Sequence, residues 1–171
     1  MKQKRLALSE ETYQAKSLSC FNNLQLLMKG LSFNTIGLYM STKNEMNTQY
    51  IFEYLWEQHK EVYIPKCENE GVMHFYKINS MNDVSIGKYH ILEPSTNILN
   101  DQLDILIIPL VAINQKGYRL GMGGGYYDRF VSGKSTIKIG IGYEFQKEEF
   151  EEERHDLKFD YFVTEKEVTR Y

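Results

Sequence analysis

Proline is scarce in this chain, with 3 in 171 residues, and no stretch rich in proline, glycine and serine divides it. Nothing therefore marks a linker, and the expectation is one domain over residues 1–171. Cysteine is equally sparse. Cys20 and Cys67 stand in no CxxC spacing and no metal-ligand cluster, which suits two packing thiols in a reducing compartment. No apolar run approaches the ~20 residues of a membrane span, and the opening "MKQKRLALSEE" lacks the apolar segment of a secretory signal. The expectation is a cytoplasmic protein that touches no membrane. Basic excess is missing too: the formal net charge is −3, which argues against a nucleic-acid partner but leaves room for a local basic site for a small anion.

What is present is an alternation of helical and extended patterns. Ser9 reads as an N-cap, with Glu10 and Glu11 in the first turn and Leu18, Phe21, Leu24, Met28 and Leu31 at helical spacing. "FNTIGLYM" reads as a strand, "NTQYIFEYLWEQHK" as a helix, and "EVYIP", "GVMHFYKI", "IKIGIGYEF" and "DYFVT" as further strands. "LDILIIPLVAI" is apolar almost without interruption, as in a strand buried on both faces. Helices between short apolar strands predict an α/β fold, a layered sandwich with a largely parallel central sheet. The acidic run "EEFEEER" reads as a solvated helix face.

Glycine is unevenly spent. Of 12 in the chain, 6 fall between Gly117 and Gly133, around "GYRLGMGGGYYDRF". Glycines let the main chain approach a ligand with no side chain in the way. Such a loop, opening the helix expected at "GYYDRFVS", offers free N–H groups to an anion, and Arg119 adds a permanently charged fork. Known cradles fit poorly. A dinucleotide fingerprint would need glycine where Tyr126 stands, a Walker A loop fails at Asp128, and the motifs that accompany a protein-kinase loop are missing. Asp128 beside phosphates implies an intervening cation such as magnesium, with Asp156 a candidate second ligand. It also reads simply as an acid in a helix's first turn.

"LDILIIPLVAINQKGYRLGMGGGYYDRF" resembles, gap-free, the signature of the 5-formyltetrahydrofolate cyclo-ligase family, also called methenyltetrahydrofolate synthetases. "YMSTKNEMNT", "VYIPK", "YHILEP" and "HDLKFDYFVTE" extend the likeness along the chain. The resemblance implies a sheet related to those of ribose-phosphate isomerase and the CoA-transferases. It implies a ligase that turns 5-formyltetrahydrofolate and ATP into 5,10-methenyltetrahydrofolate, ADP and phosphate with magnesium, working as a monomer on a folate that carries one or more glutamates.

Position by position, the resemblance makes Arg119, Leu120, Gly121, Met122, Gly123, Gly124, Gly125, Tyr126 and Tyr127 the ATP cradle, with Asp128 and Asp156 on magnesium. Gly123, Gly124, Gly125 and Tyr126 would also face the folate, Tyr126 beside the reacting formyl group and Arg119 as its catalytic partner. Met40 and Glu45 fall where the family holds the pterin, Tyr89 where an aromatic packs on folate, and Lys66 where the glutamate tail would pass. The family's N-terminal pattern K-x-x-x-R, which reaches the phosphates, is expected upstream of Met1, leaving Lys2, Lys4 and Arg5 as substitutes. Met122 stands where many relatives are basic. Two other readings compete: a folate-binding protein that turns over poorly for want of that basic pair, and a nicotinamide-dependent oxidoreductase with Glu144 as its ribose-binding acid.

Overall fold

The structure, a computed structural model, describes residues 1–42, 44–87 and 90–171, with the backbone alone at position 70. Its centre is a seven-stranded sheet. In chain order the strands are β1 (Thr35–Leu38), β2 (Glu61–Cys67), β3 (Met73–Ile78), β6 (Ile105–Ile108), β9 (Ile137–Ile141), β10 (Tyr161–Val163) and β11 (Val168–Arg170). Across the sheet the order is β11-β10-β9-β6-β1-β2-β3. The five inner strands run parallel, and β3 and β11 close the edges antiparallel. The expected layered, largely parallel α/β fold is what the chain adopts.

Its layers follow from side-chain alternation. On β6, Ile105 and Ile107 enter one core and Leu106 and Ile108 the other, all of them buried. The first core is covered by α2 (Glu10–Lys29) and α3 (Gln49–Glu57), the second by α4 (Tyr126–Val131) with Leu157 and Phe159. Ser9 does cap α2, its hydroxyl accepting the Thr12 N–H at 3.2 Å. The buried stripe of α2 is Ser17, Cys20, Leu24 and Met28. Leu18, expected to face the core, is instead 45% exposed, because a step of one residue turns it about 100° away from that stripe. Ser17 is tolerated inside because its hydroxyl accepts the Asn47 N–H.

Three other expectations need correction. The apolar run around β6 breaks at Pro109, which has no N–H to continue a ladder, and Ala112–Ile113 (β7) then pairs with Arg119–Leu120 (β8) as a separate hairpin. "IKIGIGYEF" leaves the sheet at Ile141 and turns through a short 3₁₀ segment, Glu144–Gln146. "EEFEEER" forms no helix. Glu148 donates its N–H to Ile113, the Phe150 carbonyl accepts from the Asn114 amide, and Glu152 pairs with Lys116, so the segment lies along β7 and its turn. A further small hairpin, β4 (Val84–Ile86) with β5 (Leu92–Pro94), was not legible beforehand.

The chain goes from β1 to β2 and β3 on one side, then from β6 to β9, β10 and β11 on the other. The switch lies between β1 and β6, so the segments leaving their carboxyl ends part and open a crevice there. Among the described residues no helix is long and apolar enough to cross a membrane.

Candidate active site

A cavity of about 610 Å³ occupies that crevice. Tyr39, Met40, Thr42 and Glu45 reach it from the carboxyl end of β1, Pro65 and Cys67 from β2, and Leu110 and Val111 from the segment after β6. Gln146 fixes the last of these, since its buried amide donates to the Leu110 and Val111 carbonyls at 2.9 and 3.0 Å.

Arg119 opens β8 and is 7% exposed. Its Nε donates to the Pro109 carbonyl at 2.9 Å and one terminal nitrogen to Asp128 Oδ2 at 3.2 Å, while Tyr127 presents its ring 5.3 Å from the guanidinium carbon. The chain must then pass close over this group. A Cβ at Gly121 would stand 2.5 Å from an Arg119 terminal nitrogen, so any other residue there would push the guanidinium aside. Gly121, Gly124 and Gly125 border the cavity with Met122, Tyr126 and Tyr127. Gly123, in the left-handed region with φ +90°, and Leu120 are exposed and lie outside its lining.

Asp128, in the first turn of α4, is held at both oxygens: Oδ2 by Arg119, Oδ1 by the Leu157 N–H at 3.0 Å. Asp156 is the residue before Leu157, but its carboxylate turns to the Glu153 N–H at 2.7 Å. Among the described residues no three His, Cys, Asp or Glu side chains gather as a metal cage. A carboxylate oxygen keeps a second acceptor direction after one hydrogen bond. The donor set therefore fits a magnesium ion on Asp128, with Asp156, whose Oδ2 alone accepts the Glu153 N–H, still open as the second carboxylate and the rest of the shell from phosphate and water. It does not form a closed metal site.

On the β1 side, Glu45 Oε2 accepts from the Thr42 N–H at 3.0 Å and from its hydroxyl at 3.3 Å. The Asn44 carbonyl beside it takes the Tyr143 hydroxyl at 2.8 Å, and Tyr39 donates to Met46. Burial pushes the Tyr127 hydroxyl above its ordinary range, the Arg119 charge opposing this, and burial does the same to Tyr39 and Tyr143. Cys67 is exposed toward the cavity, so it is not the packing thiol expected, while Cys20 is buried. The Cys67 thiol is pushed upward too, by partial burial and then by Glu93.

Lys66 sits between two lining residues of β2, and strand alternation turns it to the other face, away from the cavity. Tyr89 lies outside the described residues. His155 pairs with Glu153 on the surface, and His74 with Asp101, neither at the cavity. Sequence reasoning missed the apolar wall of Met73, Ile91 and Leu92, since such residues look like any core. It named Arg5 only among three basic residues that could stand in for the family's N-terminal pair, and the structure places it beside Glu45 on the cavity wall.

The sequence matches the 5-formyltetrahydrofolate cyclo-ligase family over residues 1–165. The chain belongs to that family. It is 34% identical to the 5-formyltetrahydrofolate cyclo-ligase of Haemophilus influenzae over 81% of this chain and 79% of the relative. With the enzyme of that name from Escherichia coli it shares 29% over 98% of both chains. Among solved structures, the 5,10-methenyltetrahydrofolate synthetase of Aquifex aeolicus superposes with a TM-score of 0.87 at 31% identity, covering 99% of this chain and 88% of that one. The Mycoplasma pneumoniae synthetase gives 0.81 at 29% identity, over 96% and 94%. Membership places the chain among ligases of folate one-carbon metabolism.

Proposed function

We propose that the chain, residues 1–171 acting as one domain, converts 5-formyltetrahydrofolate and ATP into 5,10-methenyltetrahydrofolate, ADP and phosphate. One observation carries the reading: the glycine loop with Arg119 borders the same cavity as Met40, Thr42 and Glu45, so an anion cradle and a hydrogen-bonding carboxylate face one ligand space. Its volume, about 610 Å³, falls within the roughly 300–1,000 Å³ of small-molecule sites. The same reading has the enzyme working as a monomer in the cytoplasm, on a folate with one or more glutamates.

The chemistry needs activation because a formamide oxygen is a poor leaving group. The formyl oxygen attacks the γ-phosphorus, forming an O–P bond as the bond to ADP breaks. Nitrogen 10 then bonds to the formyl carbon and loses its proton to solvent, the C–O bond breaks, and phosphate departs with the former formyl oxygen. A site for such a reaction positions two ligands and neutralises charge. Arg119 is suited to the second task because its guanidinium is already fixed by Pro109 and Asp128, and needs no rearrangement as charge develops. Tyr127 stays protonated at neutral pH and so remains a hydrogen-bond donor. Tyr126 stands on the cavity wall where it can pack on the formyl-bearing ring. Glu45 accepts N–H groups of the pterin, and Met40 packs on it.

Bound at Asp128, magnesium would screen the phosphates from that carboxylate and from Glu68 and Glu93 on the wall. Product absorbance tests the reading directly. With ATP and magnesium, purified protein should form methenyltetrahydrofolate, and the sample without ATP should form none. Product in neither sample, with 5-formyltetrahydrofolate still bound, would replace the ligase by a folate-binding protein.

A further inference from the structure

Arg5 stands at the last turn of α1 (Lys2–Leu6) with 5% of its surface exposed. It borders the cavity. Its Nε has no hydrogen-bond partner, and the nearest carboxylate oxygen, Glu45 Oε1, is 3.6 Å from a terminal nitrogen, beyond hydrogen-bond length. Buried donors are nearly always satisfied, and a buried charge left short of acceptors is costly. A guanidinium in this state on a cavity wall marks a place where the ligand supplies the acceptor.

The neighbour decides what kind of acceptor. Glu45 is itself nearly buried, its side chain 11% exposed, and its Oε2 is occupied by Thr42. Arg5 and Glu45 together carry no net charge. A phosphate placed on Arg5 would come against the Glu45 carboxylate in a site of reduced dielectric, and lose through repulsion what it gained. A neutral heterocycle gains from both. Its N–H groups would meet Glu45 Oε1 and its ring carbonyl would meet Arg5.

We propose that Arg5 and Glu45 act as one reader of a donor–donor–acceptor edge: Glu45 accepts from the amino and ring N–H groups, and Arg5 donates to the adjoining ring carbonyl. This rests on the folate reading, in which the 2-amino-4-oxo edge of the pterin supplies that pattern. Arg5 is then a specificity residue for the oxo form of the ring. The Asn44 amide, which donates to the Arg5 carbonyl at 3.1 Å, ties the helix end to the Glu45 turn and keeps the two side chains in register.

The test is a titration without ATP, using 5-formyltetrahydrofolate and its 4-amino-4-deoxy counterpart against wild type, Arg5→Met and Arg5→Lys, with thermal midpoints as the fold check. Loss of a charge-assisted hydrogen bond should weaken the 4-oxo ligand in Arg5→Met by about 10- to 150-fold. The 4-amino ligand should bind the same variant as wild type does, and Arg5→Lys should recover part of the loss. Any change in how Glu45 is held acts on both ligands and cancels in their ratio. Equal losses for the two ligands, or none, would overturn the assignment. So would weakened ATP binding with both pterins unaffected, which would move Arg5 to the phosphates. Failure of wild type to bind either pterin would bring down the folate reading itself, and the Arg5 role with it.

Discussion

At the scale of single residues, Arg119 shows why a carboxylate can stand beside a phosphate-binding loop. Asp128 is neutralised by Arg119 on one oxygen and tied to the Leu157 backbone by the other, so it serves the fold before any ligand arrives. Two outcomes follow. Gly121→Ala puts a methyl 2.5 Å from the Arg119 guanidinium and should displace it, lowering kcat/KM by roughly a hundredfold. Its thermal midpoint should fall by a few degrees, since Asp128 loses its ion pair, and steady-state kinetics beside a melt will check both. The second concerns pH. Tyr39, Tyr127 and Tyr143 all have folded-state pKa values above the ordinary 10.0, burial being the leading cause. A neutral form favoured in the fold contributes stability that is fully present below about pH 10 and is lost as pH rises through the folded values. Denaturant melts between pH 8 and 12 should be flat at first and fall from about pH 9, where the buried Cys20 thiol begins to contribute, and more steeply beyond about pH 10, with tyrosinate absorbance at these sites appearing only as the chain unfolds.

At the scale of elements, the glycine loop is held by a clip rather than by a long helix, since α4 has only 6 residues. Arg129 donates to the Gly71 carbonyl at 3.0 and 3.1 Å and to the Gly124 carbonyl at 2.7 Å, with its guanidinium 5.4 Å from the Tyr126 ring. It thus joins the turn after β2 to the loop after β8, both on the cavity rim. Gly71, with φ +78°, leaves the space in which that guanidinium lies. Arg129→Ala should release the loop and raise KM for ATP by about tenfold, the value of one charge-assisted hydrogen bond, with kcat less affected. Initial rates across ATP concentrations measure it. At the other end of the chain, Ser9→Ala removes the cap of α2 and should cost about 1 kcal/mol, seen as a thermal midpoint lower by about 2–4 °C with activity retained.

At the scale of the whole molecule, six of the seven strands of the sheet were legible from their apolar runs, and Ile105–Ile108 does divide its side chains between two cores, whereas the short, largely exposed edge strand Val168–Arg170 carries no such run and was missed. The β7–β8 hairpin was not legible either, for two-residue strands leave no period to detect, and its register comes from Asn114 gathering the N–H groups of Lys116 and Tyr118. "EEFEEER" has the composition of a solvated helix, but contacts with Asn114 and Lys116, distant in sequence, override that local preference. The loop of the site could be read because glycine is rare elsewhere and Arg119 and Asp128 are charged. Its walls could not. Ile91 and Leu92 declare nothing until the fold turns them toward a cavity, and Arg5 meets Glu45 only through tertiary packing.

The central claim is that one cavity joins the formyl group to the γ-phosphate so that phosphorylation of the formyl oxygen activates ring closure. The measurement that tests it most directly uses 5-formyltetrahydrofolate labelled with oxygen-18 in the formyl oxygen, followed through a single turnover with ATP and magnesium. The account expects one phosphate released for each methenyl product formed, with the label in the phosphate. Ring closure with unlabelled phosphate, or without ATP at all, would contradict it.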